Sequence, residues 1–245
     1  MTDVFIKKGR AKPLWFGHPW LYSEAIQRVV GPLEPGDEVR VLDETGRVVG
    51  RGFANPRSQL RVRMASRHDV ALDDAWIAAR IADAIALRQR LGLPSAETDA
   101  YRLVNSEGDS LPGLVVDVYA DAACVQFNTY AMKRREDAIY DALLKLLAPK
   151  NIFEVAAGGF AQLEGFVSSA RVVHGDKRHL VACKENGVRL EVEPLGGQKT
   201  GYFLDQRENR AMVGRLAKDA RVLDLYTYAG GFALAAAREI GRAHV

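Results

Sequence analysis

Two segments near the C-terminal end of this 245-residue sequence hold residue types whose spacing could do chemistry. In GGQKTGYFLDQRENR (196–210), two glycines lead into Lys199, Thr200, Gly201, Asp205, Gln206 and Arg207, set around the aromatic pair Tyr202 and Phe203. A run so dense in hydrogen-bonding side chains is costly to place for packing alone. An aromatic face can cover an adenine or a sulfonium, and a Lys or Arg can pair with a carboxylate. The second segment, RVLDLYTYAGGFALAAA (221–237), reads as an apolar strand with Asp224 near its end, then Tyr228, then Gly230 and Gly231 opening a helix. Glycines there let a ligand approach the backbone, and the free amides and dipole of a helix N-terminus favour an electronegative group. This is the opening unit of a nucleotide-binding parallel sheet, although a DxxxxxGG turn taken alone also serves as an ordinary strand-to-helix connection.

Other candidates are weaker. SEGDSLPG (106–113) carries Glu107 and Asp109, a carboxylate pair that could do acid/base work or could simply form a solvated turn. His68, His174, His179 and His244 show no metal-ligand spacing, so no metal is expected. Cys124 in ACVQF and Cys183 in LVACK sit in apolar, strand-like surroundings and read as inert core thiols. Residues 1–67 hold 12 Lys and Arg against 7 Asp and Glu, although the whole chain carries only +3. That local excess, with Lys8 and Arg10, suggests an anionic partner, nucleic acid being the commonest. In LRVRMAS, Arg61 and Arg63 alternate with Leu60, Val62 and Met64, placing both cations on one strand face. GHPWLY presents His18, Trp20 and Tyr22 from a Gly-Pro turn, where the aromatics could stack on bases or plug the end of a small barrel.

The elements that must position these residues fall into three blocks. VFIKK, EVRVLD, RVVGRGFAN and LRVRMAS are short strands of a small barrel or sandwich. After the polar connector 69–74, residues 75–91 form an amphipathic helix. YRLVN, GLVVDVY, AACVQFN and IFEVA then alternate with a second helix over 132–147, an α+β pattern. VACKENGVRLEVEP is a hairpin around Asn186-Gly187. The domains are therefore 1–68, 69–180 and 181–245. At 48% hydrophobic and 27% charged, the composition is that of globular protein, with no stretch approaching the roughly 20 apolar residues of a membrane helix and no signal-peptide core, so a cytoplasmic location and no membrane partner are expected.

GHPWLY, LVNSEGDSLPGLVVDVY, GGQKTGYFLDQRENR and VLDLYTYAGGFALAAA together resemble the class I S-adenosylmethionine-dependent methyltransferases of large-subunit rRNA that carry an N-terminal PUA domain and modify cytosine at C5. The resemblance runs along the whole chain in order. It implies a PUA-like β barrel that binds RNA through Lys8, Arg10, His18, Trp20, Arg61 and Arg63, a central α+β domain, and the start of a Rossmann-like α/β domain. It also implies S-adenosyl-L-methionine as cofactor, held by Lys199, Thr200, Gly201, Phe203, Asp205, Gln206, Arg207, Asp224, Tyr228, Gly230 and Gly231. The family's nucleophilic cysteine and ribose-binding acid have no counterpart here, so no catalytic residue is assigned. The chain reads as an inactive N-terminal part of such an enzyme or, in a second reading, as an RNA-binding protein without catalysis. A lone VLDLY strand would leave unpaired edges, so 195–245 are expected to be loosely held or to pair in a homodimer, with weak or absent cofactor affinity.

Overall fold

The structure, a computed structural model, describes residues 1–240; His244 lies outside the described residues. The N-terminal part comprises β1 (Thr2–Ile6), α1 (Lys12–Trp15), β2 (Trp20–Tyr22), β3 (Ile26–Val30), β4 (Asp37–Leu42), β5 (Val48–Ala54) and β6 (Leu60–Ser66). Its six strands run in the order β2-β6-β5-β4-β1-β3, antiparallel except for the β1–β4 pair. Val4 and Ile6 near one end of that order share one core with Leu21 at the other, so the sheet curls around them. β2 and β3 are additions to the expected strands. Four of the five β3 residues are exposed, which left no apolar alternation to read.

The central part begins with α2 (Asp74–Arg90), capped by Asp73 Oδ1, which accepts from the Trp76 amide at 2.9 Å. There follow β7 (Ala100–Asn105), β8 (Leu114–Tyr119), β9 (Ala122–Phe127), α3 (Tyr130–Lys133), α4 (Glu136–Leu146), β10 (Asn151–Val155), α5 (Gly159–Glu164) and β11 (Arg171–His174). The sheet order is β11-β10-β9-β8-β7, with only β9 and β10 parallel. Ile77, Ile81, Ile139 and Leu143 of α2 and α4 cover one face. The other face, with Tyr119, Cys124 and Phe153, is covered by Val181, Cys183, Leu190 and Val192 of the hairpin β12 (Val181–Glu185) and β13 (Val188–Val192). Asn186 at φ 48° and Gly187 at φ 78° form the expected left-handed turn. The central core thus continues across residue 180. With both faces covered, every residue of β8 is buried, Asp117 included. On β10, Glu154 is 1% exposed and accepts from Lys133 Nζ (2.6 Å), Arg171 Nε (2.8 Å) and Tyr140 Oη (3.0 Å).

Beyond the hairpin lie α6 (Arg207–Leu216) and α7 (Gly231–Ile240), packed on each other. The strand expected over VLDLY is not formed: Leu223, Leu225 and Tyr226 are 80%, 68% and 101% exposed. An interior parallel strand needs ladder partners and helices on both faces, and among the described residues nothing pairs with this segment.

The SEGDSLPG loop joins the first two parts. Glu107 Oε1 accepts from Trp20 Nε1 and Arg63 Nη1, both at 2.9 Å. Burial pushes the Glu107 carboxyl up, but hydrogen bonds from Ser106 and Trp20 and the charge of Arg63 outweigh it, so it titrates below its usual value. Asp109 forks onto Arg88 of α2 and accepts from the Asn105 amide at 2.6 Å. Both acids are therefore bound within the fold, neither free for acid/base work nor forming a solvated turn. Asn55 Nδ2 donates to Glu164 Oε2 at 2.8 Å, and Arg134 Nη1 donates to Asp37 Oδ1 at 2.9 Å, adding two more bridges. Glu107→Ala leaves Arg63 and Trp20 without their acceptor. It is expected to cost roughly 1–3 kcal/mol in denaturant unfolding and to raise hydrogen exchange on both sides of the junction; unchanged exchange in β6 would show that the junction holds without Glu107.

Candidate cofactor site

The loop after β13 folds on its own backbone: the Gly197 amide donates to Glu193 O at 3.0 Å and the Gly201 amide to Gln198 O at 2.9 Å. Tyr228, from the second motif, closes onto it. Its hydroxyl accepts from the Gln198 amide at 2.9 Å and donates to Gly201 O at 3.2 Å, and its ring meets Phe203 edge-on at 5.6 Å. Lys199 Nζ lies 4.2 Å from the Phe203 ring centre and 3.0 Å from Asp205 Oδ1. Burial opposes ionisation of Asp205, but Lys199 prevails and the acid titrates below its usual range. Because this ion pair is about half exposed, it contributes little stability, and a ligand carboxylate can compete with Asp205 for Lys199.

Lys199, Gly201, Phe203, Asp205 and Tyr228 are thus brought together. Asp224 Oδ2 accepts from the Ala233 amide at 3.0 Å and caps α7, with Gly230 and Gly231 beside it. Gln206 and Arg207 turn instead toward Asn209 and Glu208 of α6. Thr200 is fully buried. Its hydroxyl donates to Asp117 Oδ2 and lies 3.2 Å from Tyr119 Oη, while Asp117 holds Arg102 through Nε (2.9 Å) and Nη2 (3.0 Å). That hydroxyl faces the central sheet, away from the cleft expected for it.

Of the residues expected to meet RNA, Lys8, Arg10 and His18 are exposed. Arg61 donates to its own loop at Pro56 O, while Arg63 and the Trp20 indole N–H serve Glu107, so β6 does not present two free cations. Trp20 keeps part of its ring in solvent at the domain junction and is not a barrel plug.

Sequence reasoning missed the residues that hold the site up. Arg210, 3% exposed, forks onto Glu185 of β12 with both contacts at 2.6 Å, donates to Phe203 O at 3.0 Å and lies 4.4 Å from the centre of the Tyr202 ring. Its only sequence signal was its place at the end of QRENR. Tyr202 is buried, and its hydroxyl has no partner among the described residues. A Cβ on Gly231 would stand 2.3 Å from that hydroxyl, and one on Gly197 would stand 3.0 Å from Tyr228 Oη. Gly197 and Gly231 are bare because tyrosine hydroxyls fill the space a side chain would need. Among the described residues no group of His, Cys, Asp or Glu could hold a metal ion, and no helix is long and apolar enough to cross a membrane.

A PUA-like domain model matches residues 4–67, and an S-adenosylmethionine-dependent methyltransferase model matches 166–244. The chain is 36% identical over 232 residues to ribosomal RNA large subunit methyltransferase I of Alteromonas mediterranea, covering 94% of this chain and 58% of that protein. To the protein of the same name from Aliivibrio fischeri it is 34% identical over 249 residues, covering 100% of this chain and 62% of that one. The chain therefore spans less than two thirds of the length of these relatives. A protein from Streptococcus mutans described as a SAM-dependent methyltransferase shares the fold, with a TM-score of 0.83 at 22% identity over 100% of this chain and 62% of that one. A methyltransferase structure complexed with SAH matches with the same TM-score and identity, over 61% of its length. The chain is thus similar over residues 4–67 to PUA-like domains, over residues 166–244 to S-adenosylmethionine-dependent methyltransferases, and along nearly its whole length to about three fifths of ribosomal RNA large subunit methyltransferase I proteins.

Proposed function

We propose that residues 1–245 form the RNA-gripping and cofactor-closing part of a methyltransferase that acts on large-subunit rRNA and forms 5-methylcytosine. The observation that carries this reading is the union of two distant motifs through Tyr228, which brings Lys199, Phe203 and the loop backbone at Gln198 and Gly201 together. These groups fit the cofactor: Lys199 pairs with the methionine carboxylate, Phe203 and Tyr228 offer aromatic faces to the adenine or sulfonium, and Gly230, at φ 71° with nothing nearer than Leu234 at 3.9 Å to where a Cβ would stand, leaves its backbone open to close approach. When bound, S-adenosylmethionine supplies an electrophilic methyl group. The target rRNA follows from the names of the relatives, and the cytosine from the resemblance of the four motifs.

Neither cysteine serves as the nucleophile. Burial raises the Cys124 thiol well above its ordinary value and pushes Cys183 up to about 12, so both stay protonated at neutral pH. The described residues therefore bind and position, and the 245-residue chain by itself transfers no methyl group; by this reading it behaves alone as an RNA-binding protein. The exposed Leu223, Leu225 and Tyr226 favour pairing with a second copy.

Three measurements on the chain test this. Filter binding of a large-subunit rRNA fragment is expected to weaken steeply with salt and further on Lys8→Glu with Arg10→Glu. Isothermal titration with S-adenosylhomocysteine is expected to show weak, saturable heat. Labelled S-adenosylmethionine is expected to leave no label on the RNA. Salt-indifferent RNA binding, no saturable heat, or methylated RNA each overturns the corresponding part.

A further inference from the structure

We infer that Asp117 and Arg102, in the central sheet, are positioning residues for the cofactor cleft, acting through Thr200. This rests on the cleft assignment above but makes a separate structural claim. Asp117 is fully buried, and a buried carboxylate is tolerated only when charged and hydrogen-bonding partners surround it. Its partners are the two-pronged Arg102 contact at 2.9 and 3.0 Å and the hydroxyl of Thr200, itself fully buried, with Tyr119 Oη 3.2 Å from that hydroxyl. Of these, only Thr200 belongs to the loop.

Arg102 also faces the loop. β7 packs against the turn Leu204–Gln206, and Arg102 lies within electrostatic reach of Asp205, the acid that shares Lys199. One residue beyond Thr200, the Gly201 carbonyl accepts from Tyr228, and two residues before it the Gln198 amide donates to the same hydroxyl. The connection therefore runs from the Arg102–Asp117 pair to Thr200, through the loop backbone to Tyr228, and into the glycine turn at 227–230, where the Gly230 amide donates to Thr227 O at 2.8 Å. The central domain is in this way part of the cofactor site, fixing where the loop stands relative to the turn.

The test compares Thr200→Val, which keeps the shape and removes the hydroxyl, with Thr200→Ser, which keeps the hydroxyl. Asp117→Asn is a second probe. In Thr200→Val the amides of Gln198 and Gly230 are expected to exchange about tenfold faster, the size of one lost buried hydrogen bond, while β8 and β9 keep their protection. Thr200→Ser is expected to restore wild-type exchange. S-adenosylhomocysteine titration is expected to follow the same order, with affinity falling about tenfold in the Val variant and returning in the Ser variant. Unchanged exchange at Gly230 in Thr200→Val, or equal defects in the Ser and Val variants, overturns the positioning role. If the wild-type chain gives no saturable heat with S-adenosylhomocysteine, the cleft assignment fails, and the exchange arm still decides the positioning claim. Unfolding of Asp117→Asn leaves the Thr200 pair of variants as the deciding comparison.

Discussion

Replacing Arg210 by Met is expected to destabilise the chain by about 3–5 kcal/mol, because it leaves Glu185 charged and uncompensated in the interior. The two side chains are 4% and 5% exposed, so water cannot take over the lost contacts. Phe203 O loses a donor as well, and the Tyr202 ring loses the cation over its face. The damage is not confined to stability. Arg210 ties the hairpin (Glu185), the cofactor loop (Phe203) and the side of Tyr202 that abuts Gly231, so those three segments should loosen together. Guanidinium unfolding of the single variant and of Arg210→Met with Glu185→Leu separates the causes. The double variant is expected to regain most of the loss, since a buried pair exchanged for apolar groups of similar size is often neutral. A single-variant loss below about 1 kcal/mol, the range of an exposed pair, would show that the pair is hydrated in solution.

Glu154→Gln is expected to cost about 3 kcal/mol at neutral pH, the scale of charge-assisted hydrogen bonds lost at a buried carboxylate. The amide keeps the shape but turns an NH₂ toward Lys133, Arg171 or Tyr140, all of them donors to Glu154 now. Burial raises the Glu154 carboxyl, and hydrogen bonds from Lys133 and Arg171 more than offset it, so the folded acid titrates below its ordinary 4.5. A depressed folded value means that this stabilisation is complete above pH 4.5 and is lost as pH falls below it, through the folded titration. Wild-type and variant stabilities are therefore expected to differ at pH 7 and converge as the pH is lowered toward 3. A constant difference across that range would remove Glu154 ionisation as the cause.

Local signals were legible in the sequence and distant pairings were not. The Asn186-Gly187 turn, the Asp73-capped helix and the core strands β7 to β10 follow from rules that act within a few residues. The VLDLY segment failed because its apolar pattern states what it would do between neighbours, and no neighbour pairs with it among the described residues. The loop carboxylates Glu107 and Asp109 looked solvated because their partners Trp20, Arg63 and Arg88 lie 21 to 87 positions away by sequence number. In the cofactor motif, the residue types showed that polar contacts would be made but not in which direction. Thr200 turns inward to Asp117, whereas Lys199 beside it turns outward.

The β7–β8 ribbon touches both ends of the proposed reaction. At its tip Glu107 grips the N-terminal sheet, and five residues back Arg102 and Asp117 anchor the loop around the cleft. Arg102 lies in β7, which ends at Asn105, and Glu107 stands in the turn just beyond it, so the two attachments are held at the two ends of one short stretch of chain. The ribbon acts as a gauge. Under the proposed function, an RNA seated on the first sheet would meet the methyl donor only where its target base projects across that stretch, so reach along the RNA would select the base before any contact with the base itself.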